Sequence, residues 1–542
     1  MAYFSLFYEN PEQEETAKKQ SQKQVYYRAK QKIQKKTYFV GSRMMVKEEA
    51  VDSSENLPSF FQDLNLDAIF LPWYDGAIPE NIKELLFSFP HDTSIIAYRQ
   101  EIYQDLEKPA VYLGFTEFRK GFTEAERLLN YRLQSDNPLQ KGKYYLDAAI
   151  LYYQTIKGLY YILKEHAVST ALTTLVPILA AYLERKDYYE FCLHAEDLKF
   201  KLEAIYCTLS IDGNVVKVSF QQSTEDYFGT VQKVFREGET GIPSISLFNQ
   251  PVLNQFEGRL MSLVEKEYPK LCKEVLSFAA VSQPLVDEIL MRLYRESDFY
   301  LSGHSLTERL KEKGFKLTYP EVQKQGTVNL QGICDIKLAL TAGKAKEIAL
   351  NNLLLQEDSQ GAFITGVNQG GKTTFARSVG QTIYLGMLGM PVIANKAKLC
   401  HFDGIYTHFT VEENQLVNNG KLLEELHHLK EILMSAPDNC LYILNEMFSS
   451  TTAADTYELT NLLLPQMFQK SGTVLCVTHV PELARRRDKM TSLIASVREE
   501  DGYKRTYKIE PGEAVLSARA IDIALKYHLS GEQIKERMAN GD

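Results

Sequence analysis

The sequence predicts an α/β domain in its C-terminal part, preceded by a mostly α-helical region that carries one β-hairpin. Three observations support this. From about residue 321, short apolar runs alternate with helical stretches. AFIT (Ala362–Thr365), LYIL (Leu441–Leu444) and TVLCV (Thr473–Val477) each end at polar residues, as buried parallel strands with ligands at their carboxyl ends do. From about residue 61 to 320, apolar side chains recur in steps of three and four. Within that zone, CTLSIDGNVVKVSF (207–220) sets Asp212-Gly213 between β-branched residues, a hairpin signal.

The 542 residues exceed one ordinary domain. Texture divides them into a polar extension (1–60), a helical zone (61–320) and the α/β domain (321–542). With 44% hydrophobic and 24% charged residues, the composition is globular rather than disordered. The 61 basic and 70 acidic residues give a net charge of −9, which excludes a wholly basic nucleic-acid binder but allows a local basic surface. The seven cysteines include no C-x-x-C pair, which argues against a zinc ribbon and a disulfide framework. With no basic n-region at the start and no apolar window of membrane-spanning length, a cytoplasmic protein with no membrane partner is expected.

The elements follow in chain order. Lys18 to Lys36 contains eight basic residues and no acid, Pro or Gly, so a helix is expected there, either a phosphate-contacting arm or a solvated face. Tyr144–Glu165 spaces Leu146, Ile150, Tyr153, Leu159 and Ile162 as one helical face. A second such run, from Leu253 to Val275, contains Pro269 and should kink or break there. The many tyrosines of this zone read as core.

The strongest signal is Gly366-Val367-Asn368-Gln369-Gly370-Gly371-Lys372-Thr373, a full match to G-x-x-x-x-G-K-[ST]. Glycines let the backbone curl so that successive N–H groups face phosphate oxygens, and the helix opened next aims its positive dipole end at the same anion. Lys372 would reach the β- and γ-phosphates of ATP, and the Thr373 hydroxyl would ligate Mg²⁺. The helix behind the loop should bury Phe375, Val379, Ile383 and Met387. The acid-tipped strand of such a site falls at Leu441–Glu446. Asn445 stands where an aspartate is expected to hold Mg²⁺ through water, and Glu446 can orient or deprotonate the attacking water. TVLCV ends in Thr478-His479; His479 reads as a sensor of the γ-phosphate or as a structural histidine.

At this point the residues resemble the MutS family of DNA mismatch-repair ATPases. GVNQGGKTTFARSVG (366–380) resembles that family's GPNMGGKST loop, LYILNEMFSSTTAAD (441–455) its VLMDEIGRGTSTYD segment, and VTHVPEL (477–483) its ATHYHEL. Asn351-Asn352 is similar to the family's asparagine-containing nucleotide-pocket segment, which assigns Asn352 to the nucleotide together with Gly366–Thr373 and Thr374. DLNLDAIF (63–70) and IIAYRQEIYQDL (95–106) resemble the start of the family's helical core.

The resemblance implies a P-loop ATPase of the ABC class behind a core with lever arms. It further implies a homodimer that buries ATP and Mg²⁺ at a shared interface and closes on mismatched, damaged or branched DNA. Three departures accompany it. Asn445 replaces the metal-site aspartate. VNNGKLLEEL (417–426) falls on the signature segment with Gly420-Lys421 in place of its Ser-Thr, so that Lys421 either supplies a cross-subunit charge or points to solvent. Too few residues precede the core for the mismatch-reading and connector domains, and Phe7-Tyr8-Glu9 matches the Phe-x-Glu wedge by coincidence of letters.

Two rivals are a transporter- or SMC-type ABC ATPase and a slow nucleotide-gated clamp on a protein, RNA or ribosome. The first would need an LSGGQ-like segment, where this chain reads KEILMSAPDNC (430–440). The second is consistent with Asn445 and the missing reading domains.

Overall fold

A computed structural model describes residues 3–21, 32–40, 43–51, 57–212, 215–221, 253, 255–280, 285–409, 418–485, 489–498 and 504–513. The chain forms two compact units. One comprises Met1–Leu6 and Gln104–Leu301, the other Phe7–Tyr103 and Ser302–Asp542.

The N-terminal part contains α1 (Pro11–Ser21), β1 (Lys32–Val40), β2 (Arg43–Val51) and four further helices: α2 (Ser59–Asp63), α3 (Asp67–Phe70), α4 (Glu80–Leu86) and α5 (Thr93–Leu106). β1 and β2 pair antiparallel from Lys32↔Val51 to Val40↔Arg43. This corrects the single helix expected over Lys18–Lys36. Helix ends at Ser21, and from Lys32 the chain is extended, because Thr37-Tyr38-Phe39-Val40 brings a β-branched and aromatic run that prefers a strand. The basic residues Lys23, Arg28 and Lys30 lie outside the described residues. Phe7 and Tyr8 are buried, so Phe7 is a core residue and not an exposed wedge.

The helical unit is built on α6 (Pro109–Gln134) and α7 (Pro138–His166), followed by α8 (Thr170–Glu184) and α9 (Lys186–Glu203). α7 starts where Asn137 accepts a hydrogen bond from the Gln140 N–H, and α8 where Ser169 accepts one from Leu172. Gly121 lets α6 approach α7, since a Cβ there would lie 2.2 Å from Thr155 Oγ1. Tyr144, Tyr145, Tyr152, Tyr153, Tyr182 and Tyr188 are core residues.

β3 (Tyr206–Asp212) and β4 (Val215–Gln221) form the expected hairpin, with Asp212 opposite Val215. The next run divides into α10 (Gln255–Glu267) and α11 (Pro269–Ala279), because Pro269 has no N–H to donate and serves as the first residue of a new helix. α12 (Glu288–Glu312) follows. Its buried Glu296 accepts hydrogen bonds from the Leu6 N–H and the Ser5 hydroxyl and pairs with Arg292.

In the second unit, β5 (Leu317–Thr318) pairs with β10 (Val392–Ile393). β6 (Glu321–Gln323), β11 (Lys396–Cys400), β7 (Val328–Ile333) and β8 (Asn351–Leu355) form one sheet in that order. The larger sheet has the order β12 (Gly404–Phe409), β13 (Cys440–Asn445), β14 (Thr473–Val477), β9 (Gly361–Gly366), β15 (Met490–Arg498) and β16 (Lys504–Pro511). It is parallel from β12 to β15, and β16 closes it antiparallel. The three apolar runs read as strands are β9, β13 and β14, side by side.

The remaining helices are α13 (Ile336–Thr341), α14 (Lys372–Met387), α15 (Asn418–Ser435), α16 (Ala453–Gln469) and α17 (Pro481–Ala484). α14 buries Phe375, Val379, Ile383 and Met387, as its spacing predicts. Its other face grips the segment 57–89. The Tyr384 ring meets Phe60, Phe61, Phe70 and Phe89, its hydroxyl donates to Leu86 O, and Gln381 Nε2 donates to Leu64 O. This aromatic cluster groups residues 57–103 with the α/β part, where sequence texture had divided the chain at about 320.

Candidate functional site

The site is assembled at the carboxyl ends of β9, β13 and β14. β9 runs into the glycine-rich loop, and α14 starts at Lys372 with Gly371 as its N-cap. The loop's curl depends on left-handed backbone at Gly366 (φ 113°), Gln369 (φ 56°) and Gly371 (φ 90°). Side chains are also excluded sterically. A Cβ at Gly370 would lie 2.9 Å from both Ala495 Cβ and Val367 O, and one at Gly366 2.9 Å from Ala495 N. Asn368 and Gln369 are exposed at the loop's apex, and Val367 and Thr374 are half-buried.

Lys372 is buried, and its ammonium donates to Gly366 O (3.0 Å) and Val367 O (3.1 Å). Burial pulls its pKa down, and the nearby Glu446 carboxylate opposes that shift. The Thr373 hydroxyl donates to Asn445 Oδ1 at 2.8 Å, joining the start of α14 to the tip of β13. Glu446 follows in left-handed backbone (φ 55°), its N–H donating to Val477 O (2.9 Å). Its carboxylate meets His479 Nε2 at 2.7 Å. Thr478 is tied to β9 by its N–H, which donates to Ile364 O. Loop, Asn445, Glu446 and His479 are thus brought to one place on adjacent strands.

Two candidates lie elsewhere. Asn352 is on β8, in the other sheet, where its side-chain oxygen accepts from the Gly332 N–H at 2.8 Å. Lys421 belongs to α15; its side chain is outside the described residues.

The Mg²⁺ expectation can be tested against the donors present. Among the described residues, no group of three or more His, Cys, Asp or Glu could hold a metal ion. Thr373 and Asn445 offer two neutral oxygens, of the hard type Mg²⁺ takes, already hydrogen-bonded to each other. Such a pair suits an ion that arrives with phosphates, which supply the negative charge the protein side lacks.

Three residues escaped sequence reasoning. Glu425 of α15 is buried and accepts the Phe448 N–H at 2.9 Å, holding the turn after Glu446, where Phe448 is also left-handed (φ 58°). Asn351 donates to Tyr507 O and accepts from the Ile509 N–H, joining β8 to β16. Tyr507 lies beside Gly371 with its side chain exposed. The paired asparagines were a signal for Asn351, although its role is to hold backbone; Glu425 and Tyr507 carry no local motif.

Residues 362–535 match MutS domain V. The DNA mismatch repair protein MutS of Syntrophomonas wolfei is 24% identical over 246 residues, covering 45% of this chain and 28% of that protein. The DNA mismatch repair protein MSH3 of Phaeosphaeria nodorum is 31% identical over 160 residues (28% of this chain, 14% of that one). The DNA mismatch repair protein MutS of Petrotoga mobilis is 23% identical over 305 residues (54% and 36%). The chain therefore spans between 14% and 36% of the length of these relatives. Residues 362–535, which hold the glycine-rich loop, Asn445, Glu446 and His479, thus carry a MutS domain V, and the chain is similar to mismatch-repair proteins of the MutS family.

Proposed function

We propose that the chain is a P-loop ATPase of the ABC class that works as a MutS-type homodimer on mismatched, damaged or branched DNA. The observation that carries the ATPase reading is the loop 366–373 between a parallel strand and α14, with Asn445, Glu446 and His479 at the adjoining strand tips. The family relation supports the DNA part, since the relatives named above are mismatch-repair proteins.

In this reading the loop N–H groups and the start of α14 wrap the triphosphate. Lys372 exchanges its two carbonyl partners for phosphate oxygens. Thr373 and Asn445 hold Mg²⁺, which, when bound, neutralises phosphate charge. Glu446 takes the proton of the attacking water, with His479 fixing the orientation of its carboxylate. Lys421, on α15, supplies positive charge to the nucleotide of the other subunit.

The test is ATP turnover by the purified full chain, alone and with homoduplex, mismatched or branched DNA, or with RNA. Stimulation by a mismatched or branched duplex over homoduplex is expected. Turnover that no DNA form alters would overturn the DNA reading while leaving the ATPase.

A further inference from the structure

We infer that Glu425 is a positioning residue for ATP hydrolysis: by holding the Phe448 N–H, it fixes the turn from which Glu446 presents its carboxylate. The inference rests on the reading of Glu446 as the base and deepens it.

β13 ends at Asn445, and Glu446, Met447 and Phe448 carry the chain away from the strand. Glu446 (φ 55°) and Phe448 (φ 58°) are both in left-handed backbone. Neither is a glycine or an asparagine, so each keeps this conformation only because its surroundings impose it. The turn is held from three elements. The Glu446 N–H donates to Val477 O, at the end of β14, at 2.9 Å. The Phe448 N–H donates to Glu425 Oε2 of α15 at 2.9 Å. Phe448 O accepts from the Thr456 hydroxyl of α16 at 3.1 Å. The Phe448 ring is fully buried, in a core that Leu429 and Ile432 of α15 share with Leu463 and Leu464 of α16.

Glu425 is the charged member of this set, and it is buried. A carboxylate is a costly acceptor to bury, and its bond to a backbone N–H is stronger than a neutral one. That bond holds the far end of the two-residue span that begins at the Glu446 backbone. At the other end of the Glu446 side chain, the carboxylate meets His479 Nε2 at 2.7 Å. His479 thus orients the tip of the base, and Glu425 fixes the backbone from which it starts. Without the Glu425 bond, Phe448 and then Glu446 can relax out of the left-handed region, which swings the carboxylate away from the attacking water. A misplacement of about 1 Å at a reacting group costs up to about 100-fold in rate. The phosphates are held elsewhere, by the loop 366–373 and the start of α14, which take part in none of these three bonds. Turnover should therefore suffer and ATP affinity should not.

The experiment uses the full chain. It measures turnover at saturating ATP and Mg²⁺, and ATP affinity by calorimetry with a chelator present. The variants are Glu425→Ala, Glu425→Gln, Thr456→Val, Glu446→Gln, and Glu446→Gln combined with Glu425→Ala or with Thr456→Val. Glu425→Ala should lower turnover about tenfold with ATP affinity unchanged. Glu425→Gln, whose amide oxygen can accept the same N–H, should lose less. Thr456→Val frees the other side of Phe448 and should lower turnover in the same direction. In the Glu446→Gln background, Glu425→Ala should cause no further loss, because the residue acts through Glu446.

Glu425→Ala turning over as wild type does, while Glu446→Gln is slow, overturns the inference and leaves Glu446 as the base. An undiminished loss in the Glu446→Gln background also overturns it, since Glu425 would then act elsewhere. So does an equal loss of turnover and ATP affinity, which would make Glu425 a general brace of the domain. Where Glu425→Ala does not fold, Thr456→Val, alone and with Glu446→Gln, makes the same comparison, and wild-type turnover in Thr456→Val then overturns the inference. Glu446→Gln at the wild-type rate overturns the reading of Glu446 as the base, and the inference with it.

Discussion

The two halves of the site are fixed by different means. The phosphate loop is specified by backbone. Gly366 and Gly371 take left-handed conformations, Gly370 leaves no room for a Cβ, and Ala495 closes the space beneath. The opposite half is specified by side-chain pairs, Thr373 with Asn445 and Glu446 with His479. A backbone cradle depends on small residues and tolerates little change. A set of side-chain pairs can be retuned one residue at a time without disturbing the fold. Of the departures from the MutS pattern, Asn445 falls in the half that can be retuned. In the ATPase reading, nucleotide binding and turnover can therefore vary separately.

Substitution of each half separates the two. Lys372→Ala should give the largest effect. It removes the cation that faces the phosphates in a buried loop, a loss of about 10²–10³-fold in turnover with nucleotide binding weakened as well. Turnover at the wild-type rate would remove Lys372 from the site. Glu446→Gln acts on the other half. It keeps shape and hydrogen bonding but removes the base, so the rate should fall roughly 100-fold while ATP binding persists. The variant should then accumulate as an ATP-bound dimer. Monomers by light scattering at saturating ATP would count against a shared interface.

What the sequence made legible follows the same division. β9, β13 and β14 were readable because buried parallel strands are continuous apolar runs, and the loop because backbone curvature needs glycine at fixed spacing. The break at Pro269 and the hairpin 206–221 were readable for similarly local reasons. β1 was not, because Lys and Gln crowd its first half and carry no strand signal. Nor was the attachment of residues 57–89 to α14, since Phe60, Phe61, Phe70 and Tyr384 come together only in space. The roles of Glu425 and Asn351 depend on which backbone N–H groups the fold leaves to be satisfied, which no local pattern encodes.

Beside the contact between α14 and residues 57–89, a half-buried carboxylate that meets β12 reports on the fold rather than the chemistry. Asp63 accepts from the Thr407 hydroxyl at 2.7 Å. Burial raises its pKa to about 7, against the Thr407 hydrogen bond and the charge of Arg377, which pull it down. A carboxyl whose pKa is higher in the folded than in the unfolded chain binds more protons when folded. It therefore withdraws stability as pH rises from about 4 to about 7, with no further loss above. Asp63→Asn, which cannot ionise, should gain stability over wild type between pH 5 and pH 8, by roughly 2 to 4 kcal/mol at the upper end. Denaturant melts at the two pH values measure this. A gain no larger at pH 8 than at pH 5 would mean that Asp63 is ionised without penalty.

Asn445→Asp should give the smallest effect, and it addresses the comparison directly. Asn445 Oδ1 accepts from Thr373, and an aspartate oxygen would accept the same bond, so the substitution adds charge with little change of shape. If the side-chain half is a weakened version of the ordinary metal site, the new carboxylate supplies the charge that Thr373 and Asn445 lack. The Mg²⁺ midpoint for ATP turnover should then fall several-fold, and turnover should rise. If the half has been rebuilt around the amide, the new charge meets Glu446 next to it in a partly buried position, and like-charge repulsion opposes metal capture. The midpoint would then stay or rise. Mg²⁺ titrations of the two proteins at fixed ATP separate these outcomes. ATP binding in the presence of a chelator, measured alongside, reports whether the backbone-built half is indifferent to the change, as its independence from the Thr373–Asn445 and Glu446–His479 pairs requires.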